Sequence, residues 1–360
     1  MKKERGAGSG ERGTKGIECG PQVERAGTGR LADLKAMLDA RGLSPRKSLG
    51  QNFLLDTNFA AAVAREAGAD ARTLLLEVGP GTGFLTRALL DAHPTARVLA
   101  IELDRGLVEL LRDRFSGEIA SNRLTLLEGD ALDGKHGLDA DWLAEADRIA
   151  QSEGRSRRVL CANLAYNMAT PLIANLLLGA QASCPPESFA NGGASRTAGP
   201  QPAQRMVQRI VATVQLELAE RLVGKPSTND YGPLSIFASL CASARIVRKV
   251  GAEVFWPRPH VHSAVLRIDL PPWFETPFTP EEAASFLEFL HRVFGQRRKT
   301  LRAVLKGALP SDHPLAGARA EDVSPTELLG FFRSPLVLKC SATRQPARSV
   351  IPRSARRRSG

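Results

Sequence analysis

The chain has 360 residues, 43 % of them hydrophobic, with a formal net charge of +11 and a pI near 9.8. This length predicts about two domains and the apolar content a sizeable core, while the excess of cations points to a polyanionic partner, nucleic acid before a membrane surface. No stretch is long and apolar enough to span a bilayer, no apolar h-region marks a secretory signal, and five scattered cysteines without a C-x-x-C pair predict a reducing cytoplasm and no zinc site.

Residues 1–30 lack any apolar period and are expected to be a disordered extension. Residues 31–40 read as a short amphipathic helix through Leu31, Leu34, Met37 and Leu38. RKSLGQNFLLD (46–56) is too polar and irregular for a core element. It reads either as a connection to a helix starting near Thr57 or as a lid over a ligand, with Gln51 and Asn52 making polar contacts. LLLEVGPGTGFLTRALL (74–90) follows: a buried parallel strand ending at Glu77, a glycine-rich turn, then a helix. Glycines are needed where a ligand lies against bare backbone, and amides opening a helix suit a polar or anionic group. A second strand, 98–101, ends on Glu102, placed to bind ribose hydroxyls. The spacing G-x-G-x-G after Glu77, rather than G-x-G-x-x-G, selects S-adenosylmethionine (SAM) over NAD. Taken alone, the loop also fits an ordinary tight turn.

Residues 105–114 form an amphipathic helix and 124–127 a third strand closed by Gly129, Asp130 and Ala131. Asp130 at a strand end suits an exocyclic amine such as that of adenine; the alternative is a turn cap. A helix over 142–152 turns its acids to solvent. The fourth strand, 159–162, runs into Asn163, Leu164, Ala165, Tyr166 and Asn167. An exocyclic amine is a poor nucleophile because its lone pair is delocalised into the ring. Acceptors for both amine hydrogens favour the pyramidal geometry that frees it. The Asn163 side-chain oxygen and the Leu164 carbonyl supply them, and Tyr166 can stack on the base. Residues 183–205, rich in Pro, Gly, Ser and Ala, predict a disordered surface loop between two helices. Residues 206–222 read as an amphipathic helix, 236–240 and 244–250 extend the core, and 265–268 form the last strand before a Pro271–Pro272 linker. A helix opening with the capping box of Thr279 and Glu282 carries core residues Phe286, Phe289, Leu290, Val293 and Phe294. Arg297, Arg298, Lys299 and Arg302 then form a cationic run, expected to contact RNA phosphates rather than serve only as a solvated face. Residues 341–360 contain no acid and read as a disordered basic tail.

KSLGQNFLLD (47–56), EVGPGTGFLT (77–86), IELD (101–104), GDAL (129–132), NLAYN (163–167), YGPLS (231–235), VFWPRPHVHSAV (254–265) and GQRRKTLR (295–302) occur in one order along the chain. With this set the sequence resembles the small-subunit ribosomal RNA adenine dimethyltransferase family over most of 31–338. The resemblance implies a Rossmann-like α/β methyltransferase sheet with helices on both faces at 31–270 and a small helical rRNA-binding domain at 275–338. It implies SAM contacts at Asn52, Leu54, Gly79, Glu102, Asp130 and Asn163. It also implies that Tyr166, with Phe255 opposite, sandwiches an adenine in small-subunit rRNA. The family usually has proline at Ala165 and often aspartate at His262. The expected protein is a cytoplasmic, metal-free enzyme acting as a monomer on a pre-ribosomal particle. Its rivals are a large-subunit rRNA adenine methylase and an assembly factor that binds rRNA with little catalysis.

Overall fold

The computed structural model describes residues 29–134, 137–177, 206–271, 280–305 and 309–336. The expected N-terminal extension up to residue 28, the 183–205 insertion, the Thr279 cap and the 341–360 tail lie outside these residues. Among the described residues no helix is long and apolar enough to cross a membrane.

The first half of the chain alternates strands and helices. After α1 (Gly29–Asp39) and the short β1 (Phe53–Leu54) come α2 (Thr57–Ala67), β2 (Thr73–Val78), α3 (Phe84–Ala92), β3 (Arg97–Glu102), α4 (Arg105–Arg114), α5 (Ser116–Ala120) and β4 (Leu124–Glu128). Asp56 caps α2 through the Asn58 and Phe59 amides and Asp104 caps α4 through Gly106, so each helix begins at an acid that satisfies its free N–H groups. A small ribbon, β5 (Leu132–Asp133) with β6 (Gly137–Leu138), leads to α6 (Ala140–Ser152), β7 (Arg157–Asn163) and α7 (Tyr166–Leu177). The acids of α6 do not make it a solvent-facing helix, because Trp142, Leu143, Ala146, Ile149 and Ala150 bury its other face.

The expected helix over 206–222 is corrected by the structure. Arg209–Gln215 is a strand, β8, and only Leu216–Val223 is helical, as α8. Ile210, Val211, Thr213 and Val214 are β-branched and suit a pleated surface buried on both sides. β8 lies between β7 and β11 (Ser263–Asp269), and its centre is fully covered. The insertion therefore joins a helix to a strand. The chain continues through α9 (Pro233–Cys241), β9 (Ser243–Val250), β10 (Phe255–Trp256) and β11 to α10 (Pro280–Phe294), α11 (Leu301–Val304) and α12 (Pro325–Phe332).

The main sheet has seven strands in the order β4-β3-β2-β7-β8-β11-β9. The first five are parallel, and β11 runs antiparallel to both its neighbours. Alternate residues of β2 face opposite cores: Leu74 and Leu76 pack with α6, α7 and α9, and Leu75 packs with α2, α3 and α4. Phe286, Phe289, Phe331 and Phe332 of the C-terminal helices belong to the first of these cores. Tyr231 pins the same junction, its hydroxyl donating to the Val323 carbonyl at 2.7 Å. The order reverses between β2 and β7, since the chain leaves β2 towards β3 and β4 and returns on β2's other side. Open parallel sheets bind ligands in the crevice at such a switch point, outside the carboxyl ends of the strands.

Candidate active site

The loops after β2 and β7 meet at that switch point and line a cavity of about 260 Å3. Asn52, Leu54, Gly79, Glu102, Asp130 and Asn163 all line it, as do Leu164, Tyr166 and Phe255. Residues separated by more than 200 positions are thus brought together. Arg297, Arg298, Lys299 and Arg302 lie elsewhere, beyond α10.

The three loop glycines all have positive φ, at 66°, 60° and 82° for Gly79, Gly81 and Gly83, which side chains rarely adopt. Their reasons differ. A Cβ on Gly79 would meet no protein atom within 4 Å, so that position is left bare towards the cavity. A Cβ on Gly83 would stand 2.5 Å from Phe115 Cε2 and 2.9 Å from Leu111 Cδ2. Gly83 is therefore required by the packing of α3 on α4 rather than by a ligand, which corrects the single explanation drawn from sequence.

Glu102 is 5 % exposed. Its Oε2 accepts from the Gly81 amide at 2.9 Å and its Oε1 from the Asp104 amide at 3.0 Å. The carboxylate thus braces the glycine loop as well as facing the cavity. Burial pushes its pKa up, and the two amides pull it back. Glu77, on the cavity floor, is 1 % exposed with neither carboxyl oxygen hydrogen-bonded. Burial pushes it up to about 8, opposed by the neighbouring Thr86 hydroxyl and reinforced by the charge of Glu102. Sequence reasoning used Glu77 as part of a motif and missed it as a site residue, although an acid ending an apolar run before the glycines is the visible signal. Asp130 is exposed, and one oxygen accepts from the Leu132 amide at 3.0 Å. It caps a turn and borders the cavity at once.

The turn after β7 is held from two sides. Asn163 Nδ2 donates to the Asn52 carbonyl at 3.0 Å, which fixes the amide with Oδ1 as its remaining acceptor. The Leu164 amide donates to Thr213 O at 3.1 Å, anchoring the turn to β8. Tyr166 is half-buried, its hydroxyl 3.1 Å from Ser263 Oγ, a contact that sets the ring's tilt from β11. Burial raises the Tyr166 pKa, with the Ser263 bond opposing, so it works as a neutral ring. Phe255 pairs with Leu54 across the β1–β10 ribbon and meets Phe59 edge-on at 6.4 Å. Gly50 packs on the same turn, its notional Cβ 3.3 Å from Asn167 Oδ1 and 3.6 Å from Ala165 Cβ. The 46–56 segment is accordingly fastened to the catalytic turn through Gly50 and Asn52. Gln51 also lines the cavity, its amide accepting from the Arg46 amide and donating to Asp104.

Arg297 requires a correction. Its guanidinium pairs with Glu321 and donates to the Thr228 and Asn229 carbonyls at 2.7 and 2.8 Å. It is a brace between α10, the 228–229 loop and the segment before α12. Arg298, Lys299 and Arg302 are exposed, with no side-chain partner among the described residues.

The residues present fit an adenosine-like ligand with a cationic end. A bare glycine backbone borders the cavity, a buried carboxylate stands at the tip of β3, and an unpartnered carboxyl lies beneath. Among the described residues no cluster of His, Cys, Asp and Glu is arranged to hold a metal ion.

A sequence model of the ribosomal RNA adenine dimethylase family matches residues 42–326. The ribosomal RNA small subunit methyltransferase A of Ruegeria pomeroyi is 37 % identical over 323 residues, covering 88 % of this chain and 98 % of that protein. That of Jannaschia sp. (strain CCS1) is 38 % identical over 280 residues, or 78 % of this chain and 83 % of the relative. Among solved structures, a dimethyladenosine transferase from Plasmodium falciparum aligns with a TM-score of 0.55 at 20 % identity, over 81 % of this chain and 98 % of that one. The 23S rRNA methyltransferase ErmE aligns with a TM-score of 0.51 at 21 % identity, over 78 % of this chain and 98 % of that one. These two likenesses establish the fold.

Proposed function

This chain belongs to the ribosomal RNA adenine dimethylase family and is an rRNA methyltransferase, and on that premise we propose that it dimethylates N6 of two adjacent adenosines in a hairpin loop near the 3′ end of small-subunit rRNA. Asn52, Leu54, Gly79, Glu102, Asp130 and Asn163 would hold SAM, which would supply an electrophilic methyl group on a sulfonium. Glu102 would accept from ribose hydroxyls, and Glu77, held up to about 8 by burial, would be favoured as a carboxylate by a cation bound beside it. The protein's own chemical task is to turn the target amine into a nucleophile. Asn163 Oδ1 and the Leu164 carbonyl accept its two hydrogens, favouring the pyramidal nitrogen, while Tyr166 and Phe255 hold the ring between them. After a first transfer, one hydrogen remains for the same acceptors, so the second transfer needs no new group. On this reading the reaction runs in the cytoplasm, on a pre-ribosomal particle, with the protein acting as a monomer.

The observation that carries this proposal is the Asn163–Asn52 hydrogen bond. It commits the amide's donor side to protein and leaves the acceptor side for substrate. Asn163→Ala is expected to slow single-turnover methyl transfer to small-subunit particles on the order of a hundredfold or more. RNA affinity should barely change, because phosphate contacts carry most of it. An unchanged transfer rate in this variant would remove Asn163 from the mechanism.

A further inference from the structure

On the face of the sheet opposite the C-terminal helices, an open groove of about 510 Å3 runs between α2 and α3. Thr57, Arg65, Phe84, Arg87, Asp91 and Arg114 define it, and Phe84 also lines the active-site cavity. Three guanidiniums border the groove, against Asp91 as its one lining acid. Arg87 is committed, to Asp91 at 3.3 Å and Glu118 at 2.6 Å. Arg114 is not paired with a carboxylate among the described residues. One of its nitrogens donates to the Thr82 carbonyl at 2.7 Å, and its plane lies 5.2 Å from the Phe84 ring and 5.6 Å from that of Phe115. Burial and the nearby Arg87 both disfavour its charge. Arg65 is exposed, and its side chain has no partner among the described residues. Two exposed cations with no carboxylate partner among the described residues therefore share one concave surface, and Arg114 is held in orientation by the Thr82 carbonyl and the Phe84 ring. A fixed guanidinium fork with free donors suits a phosphate in particular.

We propose that this groove binds the phosphodiester backbone of the RNA strand flanking the target adenosine, with Arg65 and Arg114 on phosphate oxygens and Phe84 marking the passage from groove to cavity. An aromatic between a cationic track and a base pocket is the arrangement that single-stranded nucleic acid favours. The proposal rests on the methyl-transfer function above and extends its substrate contacts to a second face of the molecule.

Two charge reversals of equal size test it. Arg65→Glu alters the groove, whereas Arg72→Glu alters an exposed position in the turn before β2 that does not line it. Long-range repulsion of RNA is the same in both, so any difference reports local contact. With a small-subunit rRNA fragment carrying the 3′-terminal hairpin, Arg65→Glu is expected to weaken binding about tenfold and to lower the salt slope by about one. Arg72→Glu should stay within about twofold of wild type in the same titration. SAM affinity and melting temperature should match wild type in both variants. Should Arg65→Glu fail to fold, Arg65→Ala is expected to lose about threefold in affinity with the same fall in slope. Equal effects of the two reversals, with wild type still methylating, would overturn the groove and leave the methyl-transfer function standing. A wild type that does not bind this RNA would overturn the groove proposal, whereas a wild type that fails to methylate small-subunit particles would overturn the methyl-transfer function and the groove proposal with it.

Discussion

Replacing Glu77 by Gln isolates the cost of burying an acid beneath the glycine loop. The residue is 1 % exposed, neither oxygen has a hydrogen-bond partner, and burial lifts its pKa from 4.5 to about 8. An acid raised in the fold costs nothing at a pH where it is protonated both folded and unfolded. Stability is then lost as pH climbs from about 4.5 through 8, because the unfolded chain gives up its proton first. Linkage puts that loss at about 2 kcal/mol at pH 6 and at a ceiling of about 5 kcal/mol above pH 8. Gln cannot ionise, so the cost of burying its amide, on the order of 1–3 kcal/mol, is flat with pH. From pH 6 to pH 9 the ligand-free Gln variant should therefore gain about 3 kcal/mol on wild type, or roughly 5 °C in melting temperature. Parallel thermal melts across that range measure it directly. A Tm difference that stays constant from pH 6 to pH 9 would refute the buried, unpartnered carboxyl.

The cationic run after α10 should divide by partner. Changing Arg298, Lys299 and Arg302 together to Ala should weaken RNA binding and lower its salt slope by roughly two to three, with Tm unchanged. Arg297→Ala should instead cost about 1–3 kcal/mol of stability by stranding two carbonyls and leaving Glu321 only the more distant Arg319, with the salt slope barely moved; salt titrations and melts on both variants separate the cases. At the turn after β7, the Ala165 amide donates no backbone hydrogen bond among the described residues. Ala165→Pro therefore removes no bond and should leave single-turnover transfer intact or raise it; a loss of activity would show that the turn depends on an unconstrained residue 165.

The strands were legible where apolar runs sit between punctuating residues. Leu74–Leu76 and Val98–Ile101 are such runs, and both lie in parallel strands covered on two faces. Arg209–Gln215 was misread because its apolar residues merge without a break into those of the following helix. The β-branched Ile210, Val211, Thr213 and Val214 were the neglected signal. The cavity was legible because Gly79, Glu102, Asp130 and Asn163 each end a strand or open the loop after one. What remained hidden depends on contacts distant in sequence. Nothing local says that Gly83 is pressed against Phe115, that Arg297 is spent on Glu321, or that Asn163 reaches back to Asn52. The groove of Arg65 and Arg114 is of the same kind, since its two cations stand on helices separated by a whole strand-helix unit.

The central claim is tested most directly by mapping N6-methylation on small-subunit rRNA after incubating the protein with SAM and small-subunit particles that lack the modification. The account predicts dimethyl groups on two adjacent adenosines in the hairpin loop near the 3′ end, and no such product from Asn163→Ala in the time wild type completes the reaction. Methyl groups appearing only on large-subunit rRNA, or none above background with wild type, would contradict it.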